Sequence, residues 1–196
     1  MKVAFGLKAH SGWASLIVLG VDNDHFEVID RRRLELVEEE WAKQPYHAAE
    51  ELEAKDARQV VKRGISAAHL HARRAIRDSV KRAEKQGHRI VGCAVLMGES
   101  MPDWTVEQIL AVHFRMHKAE GVLFREALAA AARHSNLKVV EVPAKTLDEC
   151  AVQSLGRSSS KLAEGISSLG KSIGAPWSKD QKEATVAVMI ALKQFS

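Results

Sequence analysis

Two short apolar runs open the chain and are separated by polar residues and a glycine. Residues 3–7 and 13–20 are rich in valine, leucine and isoleucine, and residues 8–12 between them carry turn-forming side chains. This pattern predicts a β-hairpin. Because both arms contain few charges, at least one of them is expected to be a central strand buried on both faces. Lys8 then stands out as a charged residue at the end of a buried strand, a place where sheet proteins concentrate chemistry.

Alternation of apolar and polar positions continues beyond the hairpin. A second turn is predicted at residues 22–24, and the apolar residues of the segment 25–38 alternate with polar ones. A period of two is typical of a strand with one buried face. The first 38 residues therefore predict three antiparallel strands connected in sequence.

The remainder of the chain changes between helical and strand patterns. Apolar residues recur at helical spacing in residues 66–87, and nearly all of residues 89–97 are apolar, as expected for a parallel strand covered on both faces. The elements predicted after these are a long helix at 105–135 with a kink or close-packing point at Gly121, a short strand at 137–142 and a helix at 146–155.

The pattern is weak in two segments and strong at the end of the chain. Residues 38–62 are polar and predict a connecting segment with a short helix, while the glycine and serine content of residues 156–177 predicts a mobile loop or a poorly packed helix. Residues 178–195 begin with the capping-box pair Ser178 and Gln181 and are apolar nearly all round. A terminal helix of this kind is expected to pack flat against a sheet or between other elements.

Composition limits the class of protein. The chain has 196 residues, of which 46% are hydrophobic, so one domain over residues 1–196 with one substantial core is expected. The sequence lacks a signal-peptide pattern and a run of membrane-spanning length, which indicates a soluble, cytoplasmic protein. Cys93 and Cys150 are expected to be reduced thiols. The formal net charge of +4 is compatible with a polyanion partner and equally with an ordinary solvated surface.

The predicted order of elements gives a mixed sheet with helices on both faces. It resembles the ribonuclease H-like fold, an α/β fold, and in its motifs the RuvC-type branch of Holliday-junction resolvases. That branch opens with G-I-D-P-G and then G-W/Y-A, where this chain has GLKAHSGWA at residues 6–14. The central strand of that branch ends in a glutamate, and in this chain Glu99 follows the predicted strand 89–97. In the branch an alanine-rich helix then leads to a strand and a proline, which is similar to residues 119–143 here. Its closing helix bears D-x-x-D-A, compared with DQKEA at residues 180–184.

The resemblance implies hydrolysis of phosphodiesters by two divalent ions. Mg²⁺ or Mn²⁺ would need several converging carboxylates, of which Glu99, Asp180 and Glu183 would supply three. Lys8 stands where the branch has its first-strand aspartate, and an ammonium group repels a metal ion. The resemblance therefore implies a nucleic-acid-binding protein with impaired or absent nuclease activity, the site being altered by Lys8.

Two other functions stay open at this point. One is a Mg²⁺-dependent, structure-selective endonuclease that uses Glu99, Asp180 and Glu183, and the other is a non-enzymatic assembly protein on the same fold. From the residues alone, Glu99 also fits an ordinary strand-end carboxylate. Asp180 and Glu183 likewise fit first-turn acids stabilised by the helix dipole.

Basic residues predict a surface for DNA or structured nucleic acid, with a homodimer as a further expectation. Exposed charges on a helix are also found without any ligand, so a solvated surface is the alternative. The candidate phosphate-binding residues are Arg73, Arg77 and Lys81 on the predicted helix, and Arg157, Lys161 and Lys171 in the Gly/Ser-rich segment.

Two further patterns in the sequence are similar to ligand-binding motifs. His113 and His117 lie one helical turn apart and could hold Zn²⁺, but the glutamate of H-E-x-x-H is missing, which favours a structural or surface role. Residues 165–172 fit the spacing G-x-x-x-x-G-K-S of a phosphate-binding loop. This segment does not follow an apolar strand, so it is interpreted as a chance match.

Overall fold

The structure, a computed structural model, describes residues 1–22 and 25–196. Strands β1 (Lys2–His10), β2 (Trp13–Asp22) and β3 (His25–Glu35) form the predicted antiparallel meander. The turn between β1 and β2 is shorter than predicted and consists of Ser11 and Gly12, where Gly12 adopts a φ of 80°. In the second predicted turn, Asn23 and Asp24 lie outside the described residues.

Two parallel strands extend the sheet on the other side of β1. Strand β4 (Arg89–Met97) pairs in parallel with β1, and β5 (Val139–Pro143) pairs in parallel with β4, which gives the order β3-β2-β1-β4-β5. The central position of β1 explains its apolar sequence, because helices cover both of its faces. The predictions of a buried first strand and a mixed sheet are confirmed.

Helices cover the two faces of the sheet in two groups. Val3, Phe5 and Leu7 of β1 share a core with α1 (Ala54–Lys85) and α3 (His113–His134). Ala4 faces the other side, in the core built mainly by the helices of the chain's C-terminal third. These are α4 (Leu147–Leu155), α5 (Ser159–Ile173) and α6 (Lys179–Phe195). The prediction that the apolar terminal helix packs flat on the sheet is confirmed, since α6 contacts β1, β2 and β4.

Helix α1 begins earlier than the sequence pattern predicts. The predicted connecting segment 38–62 contains two short 3-10 turns, at Glu40–Lys43 and His47–Ala49, and α1 already begins at Ala54 instead of residue 66. Its first buried positions include Ala57 and Gly64, whose small size gives a weak hydrophobic signal although it allows close packing.

The predicted helix at 105–135 is two helices. α2 (Val106–Leu110) is separated from α3 by Ala111 and Val112, and Val112 has extended backbone angles. Arg115 donates a hydrogen bond of 2.8 Å to the carbonyl oxygen of Gln108, which replaces a helical partner at the break. Gly121 lies inside α3, so the predicted helix is interrupted at Ala111 and Val112 and not at Gly121.

The Gly/Ser-rich segment forms helix α5 from Ser159 to Ile173. Leu162, Ile166 and Leu169 lie at helical spacing and are buried against the core. Because residues 165–172 are helical, their backbone N–H groups bond along the helix and cannot wrap around a phosphate, which agrees with the interpretation as a chance match. Within residues 1–22 and 25–196, no helix is both long and apolar enough to cross a membrane.

Candidate functional site

Close packing between β1 and α6 places the start of the last helix beside the end of the central strand. Gly6 makes this possible: a Cβ atom at this position would lie 2.1 Å from the carbonyl oxygen of Ala184 and 2.9 Å from Cβ of Val188. Lys8 is two residues further along β1 and therefore projects from the same face of the sheet, towards α6. The glycine brings the two backbones together, and the lysine meets the first turn of the helix.

The first turn of α6 is held by its cap and by the preceding loop. Ser178 accepts a hydrogen bond from the backbone of Gln181, and the Gln181 side chain accepts one from the backbone of Ser178, as the capping-box prediction requires. Arg31 of β3 donates to the carbonyl oxygens of Gly174 and Ala175 at 2.8 and 3.0 Å. These contacts fix the position at which α6 begins, and with it the two acids of its first turns.

Lys8 forms ion pairs with both of these acids. Its Nζ atom lies 2.9 Å from Oδ1 of Asp180 and donates a short hydrogen bond to Oε2 of Glu183. The three side chains are 21–25% exposed, so the cluster is shielded from solvent but not closed. Lys179 adds a longer contact, 3.7 Å from the other carboxylate oxygen of Glu183.

The pKa values follow from these contacts. Burial alone would lower the pKa of the Lys8 ammonium, but the hydrogen bonds and charges of Glu183 and Asp180 outweigh it and hold this pKa above its ordinary value. Burial would raise the pKa of Asp180, and the hydrogen bond from Lys8 together with nearby His10 reverses the direction, so this pKa is lowered. At neutral pH the cluster is an ammonium group between carboxylates.

An aromatic group lies next to the cluster. Nε2 of His10 is 3.1 Å from Oδ2 of Asp180, although this nitrogen is not aligned to make a hydrogen bond. The His10 ring stacks on Trp13 with 4.2 Å between ring centroids, and the Arg33 guanidinium lies 3.9 Å above the Trp13 ring. This group lies at the turn between β1 and β2 and borders the ion cluster on one side.

Glu99 follows β4 and is paired elsewhere. Its carboxylate forms a short ion pair with Lys145 and lies 4.0 Å from Lys118, and its side chain is 61% exposed. The hydrogen bond from Lys145 and the charges of both lysines hold the pKa of Glu99 below its ordinary value. In the part of the chain that the structure describes, Glu99 makes no ion pair with Lys8, so the structure joins Lys8 to two of the three candidate acids.

The residues present do not fit a two-metal site. Among residues 1–22 and 25–196, Glu99, Asp180 and Glu183 do not bring three ligand oxygens within 4.8 Å of one another. The space between Asp180 and Glu183 holds the Lys8 ammonium, which cannot ligate a cation. Lysines therefore pair with all three candidate acids.

The two sets of basic residues lie on different faces of the sheet. Arg73, Arg77 and Lys81 are exposed on the second half of α1, which packs with α3 on the face opposite to α6. They therefore do not lie on the face of the sheet that α6 covers. Arg157 precedes α5, and Lys161 and Lys171 lie on it, on the same face as α6.

A Lys8→Met variant tests the ion cluster through its pH dependence. We expect the free energy of unfolding at pH 7 to fall by about 1–2 kcal/mol, because hydrogen bonds between charged groups are removed. The contribution of Asp180 is present above about pH 3.9 and is lost as the pH falls through the lowered folded-state pKa. The contribution of Lys8 is present below about pH 10.4 and is lost as the pH rises through the raised folded-state pKa.

Urea unfolding at several pH values measures this difference. Wild type and variant should differ by a constant amount through the neutral range and converge in acid. Lys193→Met, at an exposed position near the end of α6, is the matched control and should change little. A difference that persists unchanged at pH 2 would show that the Lys8 effect does not come from the carboxylates.

The fold is the ribonuclease H-like fold of the RuvC type. "Thermus thermophilus RuvC structure" is similar over 97% of this chain and 93% of that chain, with a TM-score of 0.52 and 12% sequence identity. A second structure, "T. thermophilus RuvC in complex with Holliday junction substrate", is similar over 98% of this chain and 94% of that chain, with a TM-score of 0.51 and 11% identity. No protein-family model matches the sequence, and no curated protein matches it either.

Proposed function

We propose that this chain is a RuvC-like, nucleic-acid-binding protein that lacks two-metal nuclease activity. The observation that carries the proposal is the Lys8 ammonium between Asp180 and Glu183. A nuclease of this kind needs its ions between converging carboxylates, so that both the attacking and the leaving oxygen are stabilised. In this chain the positive charge between Asp180 and Glu183 comes from the Lys8 ammonium, and no metal ion is needed to supply it.

Compensated charge favours contact with a phosphate backbone. An uncompensated group of carboxylates repels phosphates, and metal ions normally relieve this repulsion. Here Lys145 and Lys118 pair with Glu99, and Lys8 and Lys179 pair with the acids of α6. A phosphodiester could therefore approach this edge of the sheet without bound metal.

Branched DNA is the proposed ligand. A solved neighbour with this fold is RuvC in complex with Holliday junction substrate, which supports a four-way junction as the first substrate to test. The arms of a junction are long enough to reach two faces of a small domain. We propose phosphate contacts for two exposed basic sets: Arg157, Lys161 and Lys171, and Arg73, Arg77 and Lys81.

Fluorescence anisotropy with a labelled four-way junction, at several salt concentrations, tests binding. Wild type is expected to bind the junction more tightly than a duplex of equal length, and the affinity should fall steeply with salt. A triple-alanine variant of either basic set should bind more weakly, with the salt slope reduced by up to about 0.9 for each phosphate that the variant no longer neutralises. The control carries alanine at Lys2, Lys138 and Lys193. These exposed basic residues lie at the opposite end of the strands from Lys8.

The same DNA incubated with Mg²⁺ or Mn²⁺ tests for cleavage, and none is expected. Metal-dependent cleavage that disappears in Asp180→Asn and Glu183→Gln variants would contradict the proposal and support the endonuclease alternative. Absence of binding at low salt would instead support the assembly-protein alternative. The proposed phosphate contacts would be contradicted if both triple variants bound DNA with the same affinity and salt slope as the control and wild type.

A further inference from the structure

A third histidine joins the pair His113 and His117 on α3. His47 lies in the 3-10 turn His47–Ala49, and one ring nitrogen from each of the three histidines lies within 4.8 Å of the others. Nε2 of His113 and Nε2 of His117 are 3.1 Å apart. Two imidazole ligands of one tetrahedral Zn²⁺ ion have their nitrogens about 3.3 Å apart, given a Zn–N bond of about 2.0–2.1 Å. The observed spacing is therefore close to that of a shared ion.

The rings converge and do not form a parallel stack. Ring centroids are 5.1 Å apart for His47 and His113, and 4.6 Å apart for each of the other two pairs. The plane of the His113 ring is nearly perpendicular to those of both partners, at 88° and 89°. Mutually tilted rings allow three nitrogen lone pairs to point at one position, which parallel stacked rings would not.

A buried carboxylate orients His47. Glu120 lies on α3, is only 2% exposed, and its oxygens lie 2.8 and 2.9 Å from Nδ1 of His47. The same carboxylate accepts the backbone N–H groups of Tyr46 and His47 at 3.1 and 3.2 Å. With Nδ1 held by Glu120, Nε2 of His47 is the nitrogen left to act as a ligand. Ligating histidines in zinc sites usually have such a carboxylate behind them, and it fixes the ring and its tautomer.

His113 has a comparable, weaker arrangement. Its Nδ1 atom lies 3.8 Å from a carboxylate oxygen of Glu50, which is an electrostatic contact and too long for a hydrogen bond. Nε2 of the same ring points to His117. In two of the three histidines, then, one nitrogen faces an acid and the other faces the cluster, as in a histidine that shares its two nitrogens between a carboxylate and a metal.

We propose that His47, His113 and His117 bind one divalent transition-metal ion of the zinc class. Imidazole nitrogen suits Zn²⁺, Cu²⁺ and Ni²⁺, whereas Mg²⁺ and Mn²⁺ prefer oxygen ligands. Three protein ligands leave the fourth position of a tetrahedral ion open. Water can reach this position, because the His113 side chain is 64% exposed. The ion would fasten the segment before α1 to the start of α3. The site is separate from the Lys8 cluster, and the proposal does not rest on the proposed function.

Zinc titration of metal-free protein without a histidine tag tests the proposal. Calorimetry should give one Zn²⁺ per chain, and Co²⁺ should give the intense visible absorption of a tetrahedral site. His47→Ala, His113→Ala and His117→Ala should each lose more affinity than the roughly 10- to 100-fold expected for Glu120→Gln, whose residue acts by positioning His47. His134→Ala, at an exposed histidine of the same helix, should bind like wild type.

The variant at His47 separates a three-histidine site from a simpler alternative. Two histidines at i and i+4 on an exposed helix bind zinc weakly by themselves, so unchanged affinity in His47→Ala would overturn the proposal. Less than half an equivalent of Zn²⁺ in wild type, or equal losses in His113→Ala and His134→Ala, would overturn it as well. Circular dichroism of every variant distinguishes a loss of zinc binding from a loss of folding. If Glu120→Gln does not fold, the three histidine variants alone test the proposal.

Discussion

Lys8→Asp is expected to convert the ion cluster into a binding site for Mn²⁺. Replacing the ammonium by a carboxylate changes the formal charge of the cluster from −1 to −3 and joins a third oxygen ligand to Asp180 and Glu183. Each unit of charge at about 4 Å is worth of order 1–4 kcal/mol between the dielectric of water and that near a protein surface. We therefore expect Mn²⁺ affinity to rise by more than about 100-fold.

The geometry favours an ion in the space that the lysine vacates. An aspartate is shorter than a lysine by roughly 2–3 Å, so its carboxylate would withdraw from Asp180 and Glu183 by about the length of one metal–oxygen bond. Without metal, the three carboxylates should repel one another, and the variant should melt at a lower temperature than wild type. With millimolar Mn²⁺ the loss should be reversed, because an ion that binds only the folded state stabilises it.

Calorimetry and thermal unfolding, each with and without Mn²⁺, measure the two effects. Lys8→Met is the control that removes the positive charge without adding a ligand. If Lys8→Met gains as much Mn²⁺ affinity as Lys8→Asp, the gain comes from the released acids alone. If neither variant binds Mn²⁺, the carboxylates do not converge well enough to hold an ion.

The sequence predicts well those elements that consist mostly of large apolar side chains. β1, β4 and α6 are apolar along most of their length because both faces of the central strands, and much of the last helix, are covered. In a chain of this size, a run of large apolar side chains seldom forms anything except a buried strand or helix. The position of Lys8 beside Asp180 also follows, since the end of a central strand and the start of a helix packed on it meet at one edge.

The elements that the sequence pattern misses use small residues or depend on distant partners. The first turns of α1 are buried through Ala57 and Gly64, where Gly64 packs against Pro45, and such contacts leave little hydrophobic periodicity. In α5 the serines and glycines that suggest a loop lie between Leu162, Ile166 and Leu169. The spacing of those three leucine and isoleucine positions, taken separately from overall composition, predicts a helix.

The complete histidine cluster could not be predicted from the sequence. His113 and His117 share a helix face, which the spacing reveals, but His47 reaches them only because Glu120 holds the 3-10 turn against α3. Nothing local in the sequence connects residue 47 with residue 120. Glu99 and Lys145 are likewise 46 residues apart, and no local pattern shows that the segments after β4 and β5 bring them together.

Gly6→Ala is expected to be among the most destabilising single substitutions in this chain. The backbone of Gly6 does not require a positive φ, so the cost arises from contact alone. The new methyl group would lie 2.1 Å from the carbonyl oxygen of Ala184, and a backbone atom in a packed helix cannot move aside as a flexible side chain can. Overpacking of a core typically costs about 1–3 kcal/mol, and we expect about 3 kcal/mol or more here.

The same substitution at Gly165 is the matched control and should have the opposite sign. Gly165 lies within α5, where an added Cβ meets no atom within 4 Å. Alanine should stabilise this helix by about 0.5–1 kcal/mol relative to glycine. Urea unfolding at pH 7 measures both changes, and a Gly6→Ala variant as stable as wild type would show that β1 and α6 do not pack this closely.

A double-mutant cycle extends this test to the ion cluster. If the methyl group at residue 6 pushes α6 away from β1, Lys8 should move out of reach of Asp180 and Glu183, and Lys8→Met should then cost little in the Gly6→Ala background. Residues that act through one shared contact show coupling energies of about 0.5–3 kcal/mol, whereas independent sites add within about 0.3–0.5 kcal/mol. Additive effects would mean that the helix start keeps its place without the close contact at Gly6. Clear coupling would mean that one glycine sets the distance between Lys8 and the two acids of α6.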